Sequence, residues 1–203
     1  MNIEKIYYEN LKFFSNFLKE FNPFIFYGTL LGFVRDGSFI KNDDDIDFLI
    51  NVKSKESVIE KFKTLENFKI NEKLESDYFT QLTNTDGDYK IYIDFYFYIN
   101  NSNDEYIIEK HNWLSTINSY KHHLHIPKKL IFPLKENIKY YNLLFPNKER
   151  EMCEWLYGNT WQTPLRKGSG YRMEILDNKP KLIKRSFIGS LTRRFKLLFK
   201  KSV

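Results

Sequence analysis

A single cysteine, Cys153, stands among the 203 residues. That excludes an internal disulfide, leaves a thiolate zinc site without its other sulfur ligands, and makes a reducing compartment the expected setting. No N-terminal stretch has the basic, apolar and small-residue order of a signal peptide, and no apolar run approaches the ~18 residues of a membrane span. The expectation is a chain that neither enters nor crosses a bilayer by those routes. Internal repeats and low-complexity linkers are also lacking. Acidic residues are scarce at one end only: residues 177–203 carry nine Lys or Arg against one Asp, so of the total charge of +6 the first 176 residues hold −2. Basicity confined to a tail argues against a nucleic-acid-binding face spread over the fold, and nucleic acid is not expected as a partner.

What is present suits one globular core. With 42% hydrophobic residues the chain can bury a single sizeable interior, expected over residues 1–176, with 177–203 as an appended tail. Residues 4–20 place Ile6, Leu11, Phe14 and Leu18 on one helical face ahead of Pro23. "FIFY" (24–27) reads as a strand, Gly28 and Thr29 as a turn, and "LLGFVRDG" as a short helix closed by Gly37. "IDFLINV" (46–52) is a strand, and a helix of about a dozen residues follows from Ser54 to Phe68. "FKINEKLE", "YFTQLTN" and "YKIYIDFYFYI" read as three more strands, with "TDGD" (85–88) as a turn. In the third run Ile91, Ile93, Phe95 and Phe97 alternate with Tyr92, Asp94, Tyr96 and Tyr98, predicting one core face and one face with a lone carboxylate. Residues 100–150 are irregular, and "NKEREMCEWLYG" predicts a helix capped near Asn147 and ended by Gly158. The fold class is α/β, in the α+β sense: a mixed sheet flanked by helices, with a basic amphipathic C-terminal tail.

The densest chemistry lies in "NDDDID" (42–47). The strand period of two points Asp45 and Asp47 to one face and Ile46, Phe48 and Ile50 to the other. Two carboxylates on one face repel, and a hard divalent cation such as Mg²⁺, held by one or two carboxylates and by substrate phosphates, relieves that repulsion. Asp94, on the polar face of another strand, supplies either a third ligand or a general base. Gly28 and Thr29 at a strand-to-helix junction expose backbone N–H groups where a phosphate is favoured, and Arg35 on the same short helix can hold a second phosphate oxygen. The competing reading of "NDDDID" is a solvated acidic turn. It loses ground to the order of features: a strand ending in Gly-Thr, a helix, Asp-x-Asp entering a strand, then apolar-Asp-apolar in a later strand.

That order resembles the nucleotidyltransferase superfamily. Within it, "GTLLGFVRDGSFIKNDDDID" resembles the signature of the LicD family, the bacterial phosphocholine transferases whose eukaryotic relatives include fukutin and the fukutin-related ribitol-phosphate transferase. "PKKLIFPLKENIKYYNLLFPNKEREMCEWLYGNTWQTP" resembles that family's later segment, including the Tyr157-Gly158 pair, and together the two cover most of residues 5–165. The resemblance implies a nucleotidyltransferase-like sheet and a CDP-linked donor bound with Mg²⁺ (or Mn²⁺). It further implies transfer of a phosphorylated head group, phosphocholine or a phospho-alditol, to a hydroxyl of a sugar or lipid-linked glycan, with release of CMP. On it, Asp45 and Asp47 match the metal-binding carboxylates, Asp94 the third acidic strand position, Gly28 and Thr29 the phosphate-contacting turn, and Tyr157 and Gly158 a substrate-binding segment. Asp43 also falls within the motif; Asp44 takes second rank as a metal ligand, because its side chain should face away. Asn42 departs from the family, which often has an aromatic residue there.

Other clusters have plainer readings. His111, His122, His123 and His125 are expected as surface-loop residues, since no regular element converges them. Tyr92, Tyr96, Tyr98, Trp155, Tyr157 and Trp161 can cage a quaternary ammonium, but packing is the commoner fate of such rings. In the tail, Phe187, Ile188, Leu191, Phe195 and Leu198 share an arc of about 100° that Arg185, Arg193, Lys196 and Lys200 avoid. A basic amphipathic helix over 184–201 reads as an anchor on an anionic membrane surface, giving a cytoplasmic enzyme peripheral at the inner face of the cytoplasmic membrane. A helix docked on the core, or a disordered tail, is the alternative. Two rival functions stand beside the phosphotransferase: nucleotidyl transfer from an NTP with pyrophosphate release, and a non-catalytic membrane-surface adaptor.

Overall fold

The computed structural model describes residues 3–41, 43–85, 89–110, 123–140, 143–165 and 171–184. Helix α1 (Ile3–Phe17) buries Tyr7, Leu11 and Phe14 on one stripe, with Leu18 just beyond its end; the chain then turns at Asn22, which has φ +50, and Pro23. A two-residue strand β1 (Phe24–Ile25) leads directly into helix α2 (Tyr27–Arg35). The expected turn at Gly28 and Thr29 is therefore the first turn of α2 itself. Strand β2 (Asp45–Asn51) follows, then helix α3 (Lys55–Phe62), shorter than the dozen residues expected.

Strands β3 (Phe68–Ile70), β4 (Phe79–Asn84) and β5 (Tyr92–Ile99) come next. The expected strand "FKINEKLE" stops at Ile70, because the Leu74 N–H turns back onto the Asn71 carbonyl at 3.0 Å. The stretch left irregular by its sequence holds β6 (Tyr106–Glu109), β7 (Leu124–Pro127), α4 (Lys128–Ile131), β8 (Lys135–Asn137) and β9 (Leu143–Phe145). Helix α5 (Glu149–Tyr157) has Lys148 as its N-cap; the Asn147 N–H is spent on the Ile131 carbonyl at 2.9 Å.

Among the described residues, nine strands join one mixed sheet in the order β3-β4-β5-β2-β1-β9-β8, with β6 on the C-terminal end of β5 and β7 on β6. The central pair, β2 and β5, is parallel, and β4 runs antiparallel to β5. One face of this centre is aromatic: the Phe95 ring stacks on Phe48 at 5.5 Å and meets Phe62 of α3 at 4.7 Å and Phe14 of α1 at 5.6 Å. The other face carries Asp47, Asp94, Gln81 and Tyr96, all buried, beneath the start of α2. A strand with one core face and one face carrying a lone carboxylate was expected for β5. Every residue from Ile93 to Tyr98 is buried, because elements cover both sides of the sheet.

A two-stranded hairpin, β10 (Tyr171–Leu176) and β11 (Lys179–Lys184), closes the described chain. Asp177 and Asn178, with φ of +53 and +59, make its two-residue turn, and the Asn178 carbonyl accepts the His125 N–H at 3.0 Å. Residues 177–184 are thus a strand and its turn, paired to the body, and the expected boundary at 176/177 falls inside this hairpin. The tail readings at 185–201, His111, His122, Asn42 and most of the turn at 85–88 lie outside the described residues. Among the described residues, no helix is long and apolar enough to cross a membrane.

Candidate active site

Strand register assembles the site. In the parallel β2–β5 pair Asp47 lies opposite Asp94, and across β4–β5 Gln81 lies opposite Asp94, so three polar side chains form one row on the buried polar face. Asp45, two residues before Asp47, shares that face, as the strand period requires. One carboxylate oxygen each from Asp45, Asp47 and Asp94 lies within 4.8 Å of the others. Asp47 and Asp94 are each 3% exposed, and Asp45 is half-buried.

Helix α2 closes the row from above. Thr29 and Asp47 bond reciprocally: the Thr29 N–H donates to Asp47 Oδ2 at 3.2 Å, and Thr29 Oγ1 accepts the Asp47 N–H at 2.8 Å. Asp47 therefore satisfies one of the first-turn donors of α2, an N-capping role played by a distant strand. The Thr29 amide expected to meet a phosphate is already committed to Asp47. Gly28 is there for clearance: a Cβ would stand 2.8 Å from Asp43 Oδ2 and 3.3 Å from Asp47 Oδ2.

Electrostatics follow from this packing. Burial pushes the Asp47 carboxyl well above the usual carboxylate range, Asp45 and Asp94 push it further, and the Thr29 N–H opposes them. Burial lifts Asp94 to about 6 against the hydrogen bond from Gln81, whose Nε2 donates to Asp94 Oδ1 at 2.8 Å. Gln81 is itself held by Asn71, which donates to its Oε1 at 2.9 Å. Crowded, buried carboxylates with raised proton affinity are a site that a divalent cation would relieve, and an all-oxygen donor set suits hard cations.

A pocket of about 200 Å³ opens at this point, lined by Tyr27, Gly28, Asp43, Asp45, Asp47, Tyr96 and Tyr157. Burial, with the nearby carboxylates, holds the hydroxyls of Tyr27, Tyr96 and Tyr157 well above the ordinary phenol value. Neutral tyrosines and converging carboxylates thus wall one cavity. A larger depression of about 650 Å³, between Tyr106, His125, Lys128 and the hairpin turn, has no such convergence.

The residues expected from sequence separate accordingly. Asp45, Asp47, Asp94, Gly28 and Thr29 come together, and Tyr157 joins them from the last turn of α5. Gly158 does not line the pocket; with φ +81 it ends α5 as its C-cap. Arg35 sits at the far end of α2, where its guanidinium donates to Asp36 at 2.8 and 2.6 Å, and it is not in the pocket wall. Asp44, ranked second from sequence, is exposed, and its carboxylate comes within 4.8 Å of those of Asp43 and Asp45. Asp43, which the motif included without a role, faces Gly28 and the pocket. His125 lies on β7 with its ring 5.4 Å from that of Tyr106, and is no loop residue.

Sequence reasoning missed Tyr27, Gln81 and Glu109. Gln81 sits mid-strand in "FTQLTN", where only pairing register shows that it meets Asp94. Glu109 is fully buried and accepts the Tyr27 hydroxyl at 2.8 Å; nothing in "YIIE" marks it.

With this geometry in place, comparison with known proteins gives one match and one absence. A family model described as LicD/FKTN/FKRP, nucleotidyltransferase domain, matches residues 21–148. That span holds every strand of the large sheet and all the clustered carboxylates, and it stops before Tyr157. No curated protein matches the chain.

Proposed function

The chain belongs to the LicD family, and on that premise we propose that it is a metal-dependent phosphotransferase. It moves a phosphorylated head group, phosphocholine or a phospho-alditol, from a CDP-linked donor to a sugar hydroxyl of a cell-surface or lipid-linked glycan. The observation that carries this reading is the convergence of Asp45, Asp47 and Asp94 at the entry of α2. Mg²⁺ (or Mn²⁺) held by these carboxylates would neutralise charge on the phosphate oxygens and on the departing CMP.

The chain's own groups account for the rest. Thr29 holds Asp47 twice, by a bond from its N–H to the carboxylate and by its hydroxyl oxygen on the Asp47 backbone N–H, and so orients it. Asp94, held by the Gln81 Nε2–H at 2.8 Å, is the group to take the acceptor proton, a general-base role that rests on its place in the carboxylate row. The acceptor oxygen bonds to the head-group phosphorus, the bond from that phosphorus to the CMP oxygen breaks, and the hydroxyl proton passes to Asp94. Tyr27, Tyr96 and Tyr157 limit water at the pocket wall.

Nucleotidyl transfer from an NTP uses the same carboxylates and remains the nearest rival, as the matched domain's description indicates. The adaptor reading needs the aspartates as a solvated turn, whereas Asp47 and Asp94 are each 3% exposed. Phosphorus NMR of the full chain with Mg²⁺, a panel of CDP-alcohols and CTP, comparing wild type with Asp47→Asn, tests the proposal. CMP released from one CDP-donor, and only with Asp47 intact, is the expected result. Pyrophosphate from CTP with every CDP-donor left intact would move the assignment to nucleotidyl transfer.

A further inference from the structure

Glu109 is a buried carboxylate that the proposed reaction does not use. With no exposed surface, such a group is costly unless donors meet it. Its Oε2 accepts the Tyr27 hydroxyl at 2.8 Å across 82 positions of sequence. Tyr27 is unusual in its own right: it is a non-glycine residue at φ +38, and it is the first residue of α2. A left-handed backbone at a bulky L residue costs free energy and persists only where the surroundings over-determine it.

The surroundings do so here. The Tyr27 ring lies 4.8 Å from that of Phe26 and 4.9 Å from that of Tyr96, centroid to centroid, and Glu109 fixes its far end. The next two residues are Gly28, packed against Asp43 and Asp47, and Thr29, reciprocally bonded to Asp47. The backbone angle at Tyr27 sets the direction in which α2 leaves β1, and that direction decides whether Thr29 reaches Asp47. We infer that Glu109 is a positioning residue: through the Tyr27 hydroxyl it holds the entry of α2 on β2, so that Gly28 and Thr29 aim Asp47 into the pocket.

This adds a positioning device to the phosphotransferase reading, on which it rests for its role in catalysis, but its first test is independent of any reaction. Amide hydrogen exchange is measured by NMR on the full chain, free of nucleotide and metal, for wild type, Glu109→Gln, Glu109→Leu and Tyr27→Phe. The Thr29 and Asp47 amides lose about tenfold or more protection in Glu109→Leu and Tyr27→Phe, while β5 amides such as Phe95 keep theirs. Glu109→Gln, whose carbonyl still accepts the hydroxyl, stays within about threefold of wild type.

Unchanged protection at Thr29 and Asp47 in the Leu and Phe variants overturns the inference. So does a uniform loss across β2, β4 and β5, which would make Glu109 a stability group alone. If Glu109→Leu does not fold, Tyr27→Phe decides. In the transfer assay the Leu variant lowers kcat about tenfold and the Gln variant restores it; absence of transfer in wild type would count against the phosphotransferase reading, with the exchange result still deciding the role of Glu109.

Discussion

Asp47 and Asp94 stand in local conflict, because each is buried at 3% exposure within a few ångströms of another carboxylate. The pH dependence follows from Asp94. Its carboxyl is raised from an ordinary value near 4 to about 6 in the folded chain, so the folded state holds its proton more tightly than the unfolded state. The resulting stabilisation is complete below pH about 4 and is lost as pH rises through about 6. Metal-free protein should therefore lose on the order of 2–3 kcal/mol from this group between those limits. Added Mg²⁺ should restore about 2.7 kcal/mol at a hundredfold excess over its dissociation constant, and only above pH about 6. Chemical denaturation across pH 4–8, with and without Mg²⁺, on wild type and Asp94→Asn checks both; a loss between pH 4 and 6 that Asp94→Asn keeps in full would contradict the assignment. Asp45, Asp47 and Asp94 were legible because strand period and apolar flanks mark a carboxylate on a polar face. Gln81 and Glu109 were not, since antiparallel register and an 82-residue separation from Tyr27 bring them in.

The element that decides the site is α2. Its first turn is where Asp43, Asp47 and the Thr29 amide meet, and Gly28 makes room for them. Gly28→Ala separates folding from function. Ala favours a helix by up to about 1 kcal/mol over Gly, while its Cβ would sit 2.8 Å from Asp43 Oδ2 and 3.3 Å from Asp47 Oδ2, so both carboxylates must give way. The expected outcome is a chain that still unfolds in a single thermal transition, with Mn²⁺ affinity lowered about tenfold in a calorimetric titration. Wild-type affinity in this variant would show that the close approach of Asp43 is immaterial. At this scale α1, β2, β4, β5 and α5 could be read from hydrophobic period and end signals. The strands between Tyr106 and Phe145 could not, because each is three or four residues long and owes its conformation to pairing with a neighbour.

Across the whole molecule charge is divided, with a net of +8 on residues 177–203 and −2 on the rest. We propose that the basic amphipathic stretch carries the chain to an anionic membrane surface, close to a lipid-linked acceptor. A chain truncated after residue 184 should lose sedimentation with vesicles containing phosphatidylserine or phosphatidylglycerol, which the full chain shows at low salt and gives up as ionic strength rises. Transfer to a soluble acceptor should stay within about twofold, because the cut leaves the β10–β11 hairpin intact. Equal vesicle binding by both chains would remove the tail as an anchor.

The amino-acid sequence alone determined the α/β class, the family and the three carboxylates, because these rest on local signals: side-chain period, glycine placement and the spacing of aspartates. The tertiary structure alone decided which donors those carboxylates already hold and that Glu109 stands behind Tyr27. Those facts depend on register between strands far apart in the chain and on the angle at which one short helix leaves its strand, and neither quantity is written in any single stretch of residues.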